Sequence, residues 1–467
     1  MTVPISERLV NGLLHLSTTG MPPEVIGKAK LCVLDTLGVA LAGSLTSVGK
    51  IARQFAMNIG GKEEATLFRS GDRVSCVPAA YANGTMAFCH NFTDTTLSCV
   101  VHCGPAIVPT ALAVAEREGN TGKEFLAAVI AGYDLMTRVG NALNSGLARM
   151  NHHRSGFHAT ATTGVFGACL TASKLLHLTP EQATSALGTA ASYASGILAP
   201  RTSPGSETWK THTGIAAQNG ISAALLAHMG LQGPATILDG DEGFLKPFGW
   251  GKYDLGKLEE NLGERFLIMD SAFKLYNCGH VWANPLDCLK QLRETHHFQP
   301  DDVAEIRVTV PTMYTYVMAN SPEKNYPRNY AEAENHPHYL MAAMMLHGQV
   351  SLPQFEDRVI HDLRMKAMAG KVVIEVDLSL DAIFKETDKA PAKVRIVRKQ
   401  NRTELELASD YPRGSPKNPA TRCEIEQKFI GLSANAIGKE KALRIIAAVD
   451  SLEEQESVNT LMTVCCV

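Results

Sequence analysis

The 467-residue sequence lacks the motifs that mark the common metal and cofactor sites. It contains no Cys-x-x-Cys pair, no His-Glu-x-x-His, no Walker A loop and no Gly-x-Gly-x-x-Gly after a strand. It also lacks the Gly-x-Ser-x-Gly elbow of serine hydrolases and the spaced thiolates that an iron–sulfur cluster requires. These absences argue against structural zinc, nucleotide cofactors and a hydrolase triad. We therefore expect no cofactor and no metal site.

The sequence also has no excess of charge and no long apolar run. Its formal net charge of −3 gives no basic surface for nucleic acid or an anionic membrane. The least polar stretch, HATATTGVFGACLTASKLL, is rich in Ala, Thr and Gly, which predicts a core helix rather than a membrane span. There is no recognisable secretory or mitochondrial leader, and eleven irregularly spaced cysteines are typical of reduced thiols. We expect a cytoplasmic protein with neither nucleic-acid nor membrane partners.

Helical periodicity dominates residues 1–268. The segments PPEVIGKAKLCVLDTLGVALAGS, GKEFLAAVIAGYDLMTRVGNAL and TPEQATSALGTAASYASGIL repeat apolar residues at helical spacing. In the third segment, Thr179 precedes Gln182 by three residues, which is the pattern of a capping box. Many helical positions carry Ala, Gly or Ser where Leu is usual, so the helices are predicted to pack closely.

The pattern changes near residue 269. DDVAEIRVTVP, KVVIEVDLSL and AKVRIVRKQNRTELELA alternate apolar and polar residues with many β-branched side chains, which predicts strands. NPLDCLKQLRETHH and PHYLMAAMMLHGQVSLPQFED predict helices between them, and a last helical pattern follows near the C-terminus. The expected fold is mainly α, with a large all-helical domain at 1–268 and 408–467. A smaller α+β domain, 269–407, is inserted before the C-terminal helices.

Histidines and lysines beside small-residue turns are the candidate functional groups. The stretch HNFTDTTLSCVVHCGP concentrates two histidines, three threonines and one carboxylate within His90–Pro105. Further candidates are His158 and the pair Lys210 and His212, which stand just before predicted helices. Lys274 and His280 stand at the junction between the helical and α+β segments. A helix N-terminus favours anions, and histidine moves protons near neutral pH. Taken singly, each of these residues is better explained as a helix cap or a surface group.

Four segments together resemble the MmgE/PrpD family. They are AKLCVLDTLGVALAGS, GFHATATTGVFGACLTASKLLHLTPEQATSALGTAASYASGI, FKLYNCGHVWANPLD and SPKNPATRCEIEQKF, in the family's order. The resemblance implies a large helical domain with an α+β lid domain, an active site between them and a homodimer. It also implies catalysis without metal or organic cofactor. Members include 2-methylcitrate dehydratases, cis-aconitate decarboxylases and an iminodisuccinate epimerase.

The resemblance also assigns site residues. The catalytic residues it implies are His102, His158, Lys274 and His280, and the substrate-binding residues are Asn91, Asp94, Thr95, Lys210 and Tyr316. The family lysine falls nearest Lys210, although strict alignment places Trp209 there. The chain departs from the family's DFDDT motif, because it carries NFTDT, with Asn91 and Thr93 in place of two aspartates. Asparagine forms hydrogen bonds but cannot serve as a base, which suggests a divergent substrate or reaction.

The family's reactions move a proton at a carbon next to a carboxylate. Without a metal, lysine, histidine and threonine donors must hold the carboxylates and stabilise the developing charge. We therefore expect a cofactor-independent lyase acting on a small di- or tricarboxylate, with dehydration of a 2-methylcitrate-type substrate as the leading reaction. The alternatives are decarboxylation of a cis-aconitate-type substrate, epimerisation by two bases, and a non-catalytic family member that only binds.

Overall fold

A computed structural model describes residues 3–144, 151–203, 205–317, 326–387, 389–400 and 402–467. The fold of the described residues is mainly α with few strands, as the sequence predicts. The chain divides into two compact units. The helical unit comprises Met1–Ser271 and Arg422–Val467, and the α+β unit comprises Ala272–Thr421.

The helical unit is built from the periodic segments of the sequence. Its α-helices are Ile5–Leu13, Pro23–Gly43, Ser47–Ile59, Cys76–Met86, Gly104–Glu118, Gly122–Asn144, Asn151–Arg154, Ala159–Leu175, Pro180–Ser192, Ala199–Thr202, His212–His228, Leu245–Phe248, Gly256–Glu259, Arg422–Ile437, Lys439–Asp450 and Asn459–Val464. Short 3-10 turns span Thr208–Thr211, Leu267–Asp270 and Leu452–Glu454, and two-residue strands stand at Ala65–Thr66, Arg73–Val74 and Thr95–Thr96. The predicted capping box is confirmed, since Thr179 N donates to Gln182 Oε1 (3.0 Å) and Thr179 Oγ1 accepts from Gln182 N (3.3 Å).

Small residues bring the helices of this unit into close contact, as predicted. A Cβ added at Gly220 would lie 2.5 Å from the Cβ of Ala168, and one at Gly84 would lie 3.1 Å from the Cα of Gly214. Both distances are shorter than ordinary van der Waals contact, so no larger side chain fits between these helices. Close packing fixes the helix ends, which is where the candidate histidines stand.

The helices differ in length and hydropathy. In the described parts of the chain, no single helix is both long and apolar enough to cross a membrane. Pro23–Gly43 and Ser47–Ile59 meet that test only as a pair, and they are bent by 93° relative to each other.

The α+β unit carries a four-stranded sheet. Its strands are ordered Val372–Val376, Val303–Val310, Ala392–Arg398 and Glu404–Ser409. The first two strands are parallel and the other neighbours are antiparallel. The α-helices are His280–His296, Thr312–Val317, Tyr330–Ala333, Pro337–His347, Asp357–Ile360, Leu363–Ala369 and Ser379–Glu386, with 3-10 turns at Pro300–Asp302 and Leu352–Phe355.

Alternation along the strands explains which face of this sheet is buried. Val308 and Val310 are fully buried, as are Leu286 and Leu340 of the helices in the same apolar cluster. The last strand, Glu404–Ser409, crosses the boundary expected at 407/408. It pairs along its whole length with its neighbour, and these ladder hydrogen bonds keep it in the α+β unit.

Candidate functional site

The loop around His102 is folded back on itself by a short hairpin. Thr96 N donates to Val101 O (2.9 Å) and Val101 N donates to Thr96 O (3.3 Å), while Val100 turns the chain at a φ of 56°. This return places the His102 ring beside Thr95, seven residues earlier in the chain. The proximity of the two predicted residues therefore follows from local chain reversal.

The hydrogen bonds of His102 determine its tautomer. Its Nδ1 lies 2.7 Å from the carbonyl oxygen of Asp94, 2.9 Å from Thr95 Oγ1 and 3.2 Å from Thr93 Oγ1. A carbonyl oxygen only accepts, so Nδ1 carries the hydrogen in the neutral ring. The lone pair is then on Nε2, which makes Nε2 the atom that takes up or delivers a proton.

The Asp94 side chain faces the interior of the helical unit. It is 1% exposed, and its Oδ1 accepts from the amide of Gly104 (3.0 Å), the first residue of Gly104–Glu118. Burial raises the pKa of Asp94 to about 7, and the charge of Asp35 acts in the same direction. This placement gives the carboxyl a structural task at a helix N-terminus. Substrate binding by Asp94 stays a prediction.

His158 stands at the start of Ala159–Leu175 and contacts a second histidine. Its backbone N donates to Gly196 O (3.0 Å), and its Nδ1 lies 2.9 Å from Nδ1 of His212. His158 is 3% exposed, and burial, followed by the neighbouring His212, holds its pKa well below the usual value. His212 was a candidate in the sequence, but the family resemblance assigned it no role. Its position at a predicted helix start, two residues after Lys210, was the signal available for it.

Phe88 connects the two predicted proton-handling histidines. Its ring centroid lies 5.5 Å from that of His102 and 5.7 Å from that of His158. The Trp209 ring contacts the same Phe88, at 5.2 Å, and His158, at 5.9 Å. The structure thus brings His102 and His158 to one apolar wall, although 56 residues separate them in the sequence.

Lys210 belongs to the same cluster. Its Nζ lies 4.7 Å from the centroid of the Trp209 ring, a cation–π distance, and the residue is 6% exposed. Burial lowers the pKa of His90 to about 4, and the charge of Lys210 contributes to this lowering. Both residues that compete for the family lysine position, Trp209 and Lys210, therefore lie at the cluster. Asn91 is half-buried in the adjoining loop.

The α+β unit holds a second polar group. Lys274 is 1% exposed, and His280 begins His280–His296. Among the described residues, neither ring nitrogen of His280 has a hydrogen-bond partner. Burial, followed by the charge of Lys274, lowers the pKa of His280 to about 3, so this imidazole is neutral. The side chain of Tyr316 lies outside the described residues.

The cysteines of the opening stretch are buried thiols. Burial raises the pKa of Cys99 to about 12 and that of Cys103 well above its usual value. A protonated thiol is a poor nucleophile and a poor metal ligand. Within the described ranges, no group of three or more His, Cys, Asp or Glu side chains is placed to hold a metal ion.

Comparison with known proteins identifies the family. Residues 7–254 match the family model of the MmgE/PrpD N-terminal domain, and residues 276–454 match that of the MmgE/PrpD C-terminal domain. The chain belongs to the MmgE/PrpD family. Both halves of the family signature are present, and together they cover most of the chain.

Relatives within the MmgE/PrpD family carry enzyme names. Human cis-aconitate decarboxylase is 26% identical, with 99% of this chain and 95% of that protein covered. The cis-aconitate decarboxylase-like protein oryM of Aspergillus oryzae is 25% identical, with 98% and 96% covered. The mitochondrial 2-methylcitrate dehydratase of Yarrowia lipolytica is 24% identical, with 83% and 75% covered. Decarboxylases and dehydratases of this kind are lyases, so membership of the family supports lyase chemistry for this chain.

Proposed function

We propose that this MmgE/PrpD protein is a lyase that decarboxylates a cis-aconitate-type tricarboxylate. The observation that carries the proposal is the pairing of two imidazoles, half-buried His102 and buried His158, on one aromatic wall next to Lys210. The names of the relatives that span nearly the whole chain favour decarboxylation over dehydration. This reverses the order expected from the sequence, where dehydration leads.

The first task of the cluster is to bind the negatively charged carboxylates of the substrate. Lys210 is buried beside Trp209, and a buried ammonium group gains from an anionic partner. The hydroxyls of Thr93 and Thr95 contact the His102 ring and are placed to donate to a carboxylate near it. We assign substrate binding to these groups, together with Asn91 in the adjoining loop.

Proton delivery is the second requirement. Loss of CO₂ breaks a carbon–carbon bond and leaves the electron pair on carbon, where it is delocalised into the neighbouring double bond and carboxylate. A proton must then be added to carbon, and His158 is assigned as the donor, with Nε2 of His102 as the second proton-handling atom. An imidazole whose pKa burial has lowered is a weak proton acceptor until the negative charge of the substrate arrives.

Dehydration of a 2-methylcitrate-type substrate is the second candidate. The named 2-methylcitrate dehydratase among the relatives favours it. The same two histidines serve this reaction if one takes a proton from carbon and the other gives a proton to the departing hydroxyl. The roles of Lys274 and His280 in the α+β unit stay predictions from the family resemblance.

The decisive experiment follows products from a panel of substrates. Purified protein is incubated with cis-aconitate, citrate and 2-methylcitrate, and CO₂ release and product masses are recorded. Release of CO₂ from cis-aconitate supports the proposal, whereas loss of water from 2-methylcitrate supports the second candidate. Deuterium incorporation from D₂O without loss of either indicates epimerisation. Thermal stabilisation by these ligands without turnover indicates a binding protein.

A matched pair of histidine variants links any activity to this site. His158→Gln is expected to lower kcat by about 100-fold or more, which is the usual contribution of a general acid or base. His228→Gln, at the exposed end of His212–His228, is expected to leave kcat unchanged. Equal activity of the two variants would remove His158 from the mechanism.

Assembly and location are also proposals. The family resemblance implies a homodimer, and light scattering on the purified chain tests it. The cytoplasmic location expected from the sequence is tested by cell fractionation.

A further inference from the structure

The pair formed by His158 and His212 has an unusual geometry. The two Nδ1 atoms lie 2.9 Å apart, and the ring centroids lie 5.1 Å apart with the planes inclined by 40°. This is a hydrogen-bond distance between two atoms of the same kind. The sequence pattern does not predict the contact, since 54 residues separate the two histidines.

Helix packing holds the two rings at this distance. His158 immediately precedes Ala159–Leu175, and His212 is the first residue of His212–His228. The two helices meet through small residues, because a Cβ added at Gly164 would lie 3.1 Å from the Cβ of Ala216. Such a contact leaves little freedom for one helix to slide along the other. The helix packing therefore holds the backbones of the two histidines close together.

Two neutral imidazoles in this geometry share one hydrogen. If His158 carries it on Nδ1, its Nε2 has the lone pair and His212 carries a hydrogen on Nε2. If His212 carries it on Nδ1, the roles are exchanged and His158 has its hydrogen on Nε2. Both states are uncharged. Burial lowers the pKa of His212 to about 4, so the neutral form of that ring is the one present near pH 7.

We propose that His212 is the proton-relay partner of His158 in the lyase reaction. His158 Nε2–H gives its proton to the substrate carbon, and the C–H bond forms with the electron pair left by CO₂. At the same time, His158 Nδ1 takes the hydrogen from His212 Nδ1, and His212 Nε2 takes a proton from water. The hydroxide left by that water combines with the released CO₂ to give bicarbonate. His158 ends with its hydrogen on Nδ1 and His212 with its hydrogen on Nε2, and both rings are neutral before and after the step. The inference rests on the proposed function, because it assigns a route for the proton of that reaction.

The relay avoids placing a positive charge on the buried His158. His158 is surrounded by His212, His153, His102 and Arg201, and each of these lowers its pKa further after burial itself. A mechanism in which His158 first becomes an imidazolium must overcome all of these effects. Passing one hydrogen between two Nδ1 atoms while another leaves Nε2 avoids a resting positive charge. His212 acts through His158 and is a positioning residue in that sense.

Kinetics of two His212 variants separate a relay from a purely structural contact. His212→Asn places an amide near the Nδ1 position, so it can keep a hydrogen bond to His158 but cannot pass a proton on. His212→Leu removes both functions, and His228→Asn, at the exposed end of the same helix, is the matched control. A relay predicts that His212→Asn and His212→Leu both lower kcat by about 100-fold with little change in KM. Recovery of kcat to within about threefold of the wild type in His212→Asn would overturn the relay, because a hydrogen bond alone would then suffice.

A second measurement tests the pair without turnover. Nitrogen-15 NMR of histidine-labelled wild-type protein near pH 7 is expected to show one protonated and one unprotonated Nδ1, coupled through a shared hydrogen. The His212 variants assign the two signals. Two unprotonated Nδ1 atoms, or no coupling between them, would overturn the inference whatever the activity. Absence of turnover in the wild type, with the coupled pair present, would count against the proposed lyase function and leave the pair itself established.

Discussion

The Asp94→Asn substitution tests the role of the one carboxylate that the NFTDT stretch retains. Asp94 is 1% exposed, and its Oδ1 accepts from Gly104 N, while its backbone carbonyl accepts from His102 Nδ1. Asparagine keeps both hydrogen bonds, because the backbone carbonyl is unchanged and the side-chain oxygen of asparagine is also an acceptor. The substitution therefore removes the ionisable group and leaves the contacts that shape the loop.

The size of the effect on the free energy of unfolding follows from the pKa of Asp94, which burial raises from 3.8 to about 7. Between these values the folded protein binds more protons than the unfolded chain, so the free energy of unfolding falls as pH rises. One pKa unit corresponds to about 1.4 kcal/mol, which gives a loss of about 4 kcal/mol over the whole interval and about 3 kcal/mol between pH 5 and 8. The asparagine of the variant does not titrate, so the variant does not suffer this loss.

Urea denaturation of both proteins at several pH values between 5 and 8 provides the measurement. The difference in the free energy of unfolding, Asp94→Asn minus wild type, is expected to grow with pH by about 3 kcal/mol. Histidines that titrate in the same range contribute equally to both proteins and cancel. Parallel stability curves would refute the raised pKa. Turnover within about threefold of the wild type is expected if Asp94 serves the helix N-terminus, whereas a loss of about 100-fold or more would assign it to the substrate.

Three further substitutions test packing and charge in the helical unit. Lys428→Met removes the ammonium partner of the buried Asp35 carboxylate, whose Oδ1 lies 2.5 Å from Lys428 Nζ. It is expected to lower the free energy of unfolding by about 3–5 kcal/mol, as measured by urea denaturation. The double variant with Asp35→Leu is expected to recover most of this loss. Gly220→Ala crowds a helix contact and is expected to lower stability by about 1–3 kcal/mol. Its control, Gly431→Ala, adds a Cβ to an exposed helical position with nothing within 4 Å and is expected to raise stability by about 0.5–1 kcal/mol. Thr95→Val removes a hydroxyl whose oxygen lies 2.9 Å from His102 Nδ1 and is expected to raise KM for a carboxylate substrate. An unchanged KM would count against substrate binding by Thr95.

Much of the fold was predictable because it depends on local chemistry. Helical spacing of apolar residues predicted Pro23–Gly43 and Gly122–Asn144, and Thr179 with Gln182 predicted a capping box that is present. Alternation predicted the strand Val303–Val310 and its neighbours. These signals operate between residues at most four positions apart, so the sequence alone displays them. The boundary expected at 407/408 fell inside a strand because sheet pairing is not a local property.

The candidate site was predictable only in part. The family's motifs named His102, His158 and Lys210 from the sequence, and these three lie at one cluster in the structure. Nothing in the sequence pattern showed that Phe88 would join the two histidines. Ring contacts of this kind depend on how helices pack, and packing depends on the shapes of residues far apart in the chain.

Sequence by itself determined the elements, the family and the types of side chain available for chemistry. Tertiary structure decided which of those side chains meet and in which protonation state. His212 became the partner of His158 through contact between two helices, and Asp94 acquired a raised pKa through burial beneath its own loop. Asp35 and Lys428 form an ion pair across 393 positions of the chain. Each of these results depends on desolvation and close approach, which the folded chain alone provides.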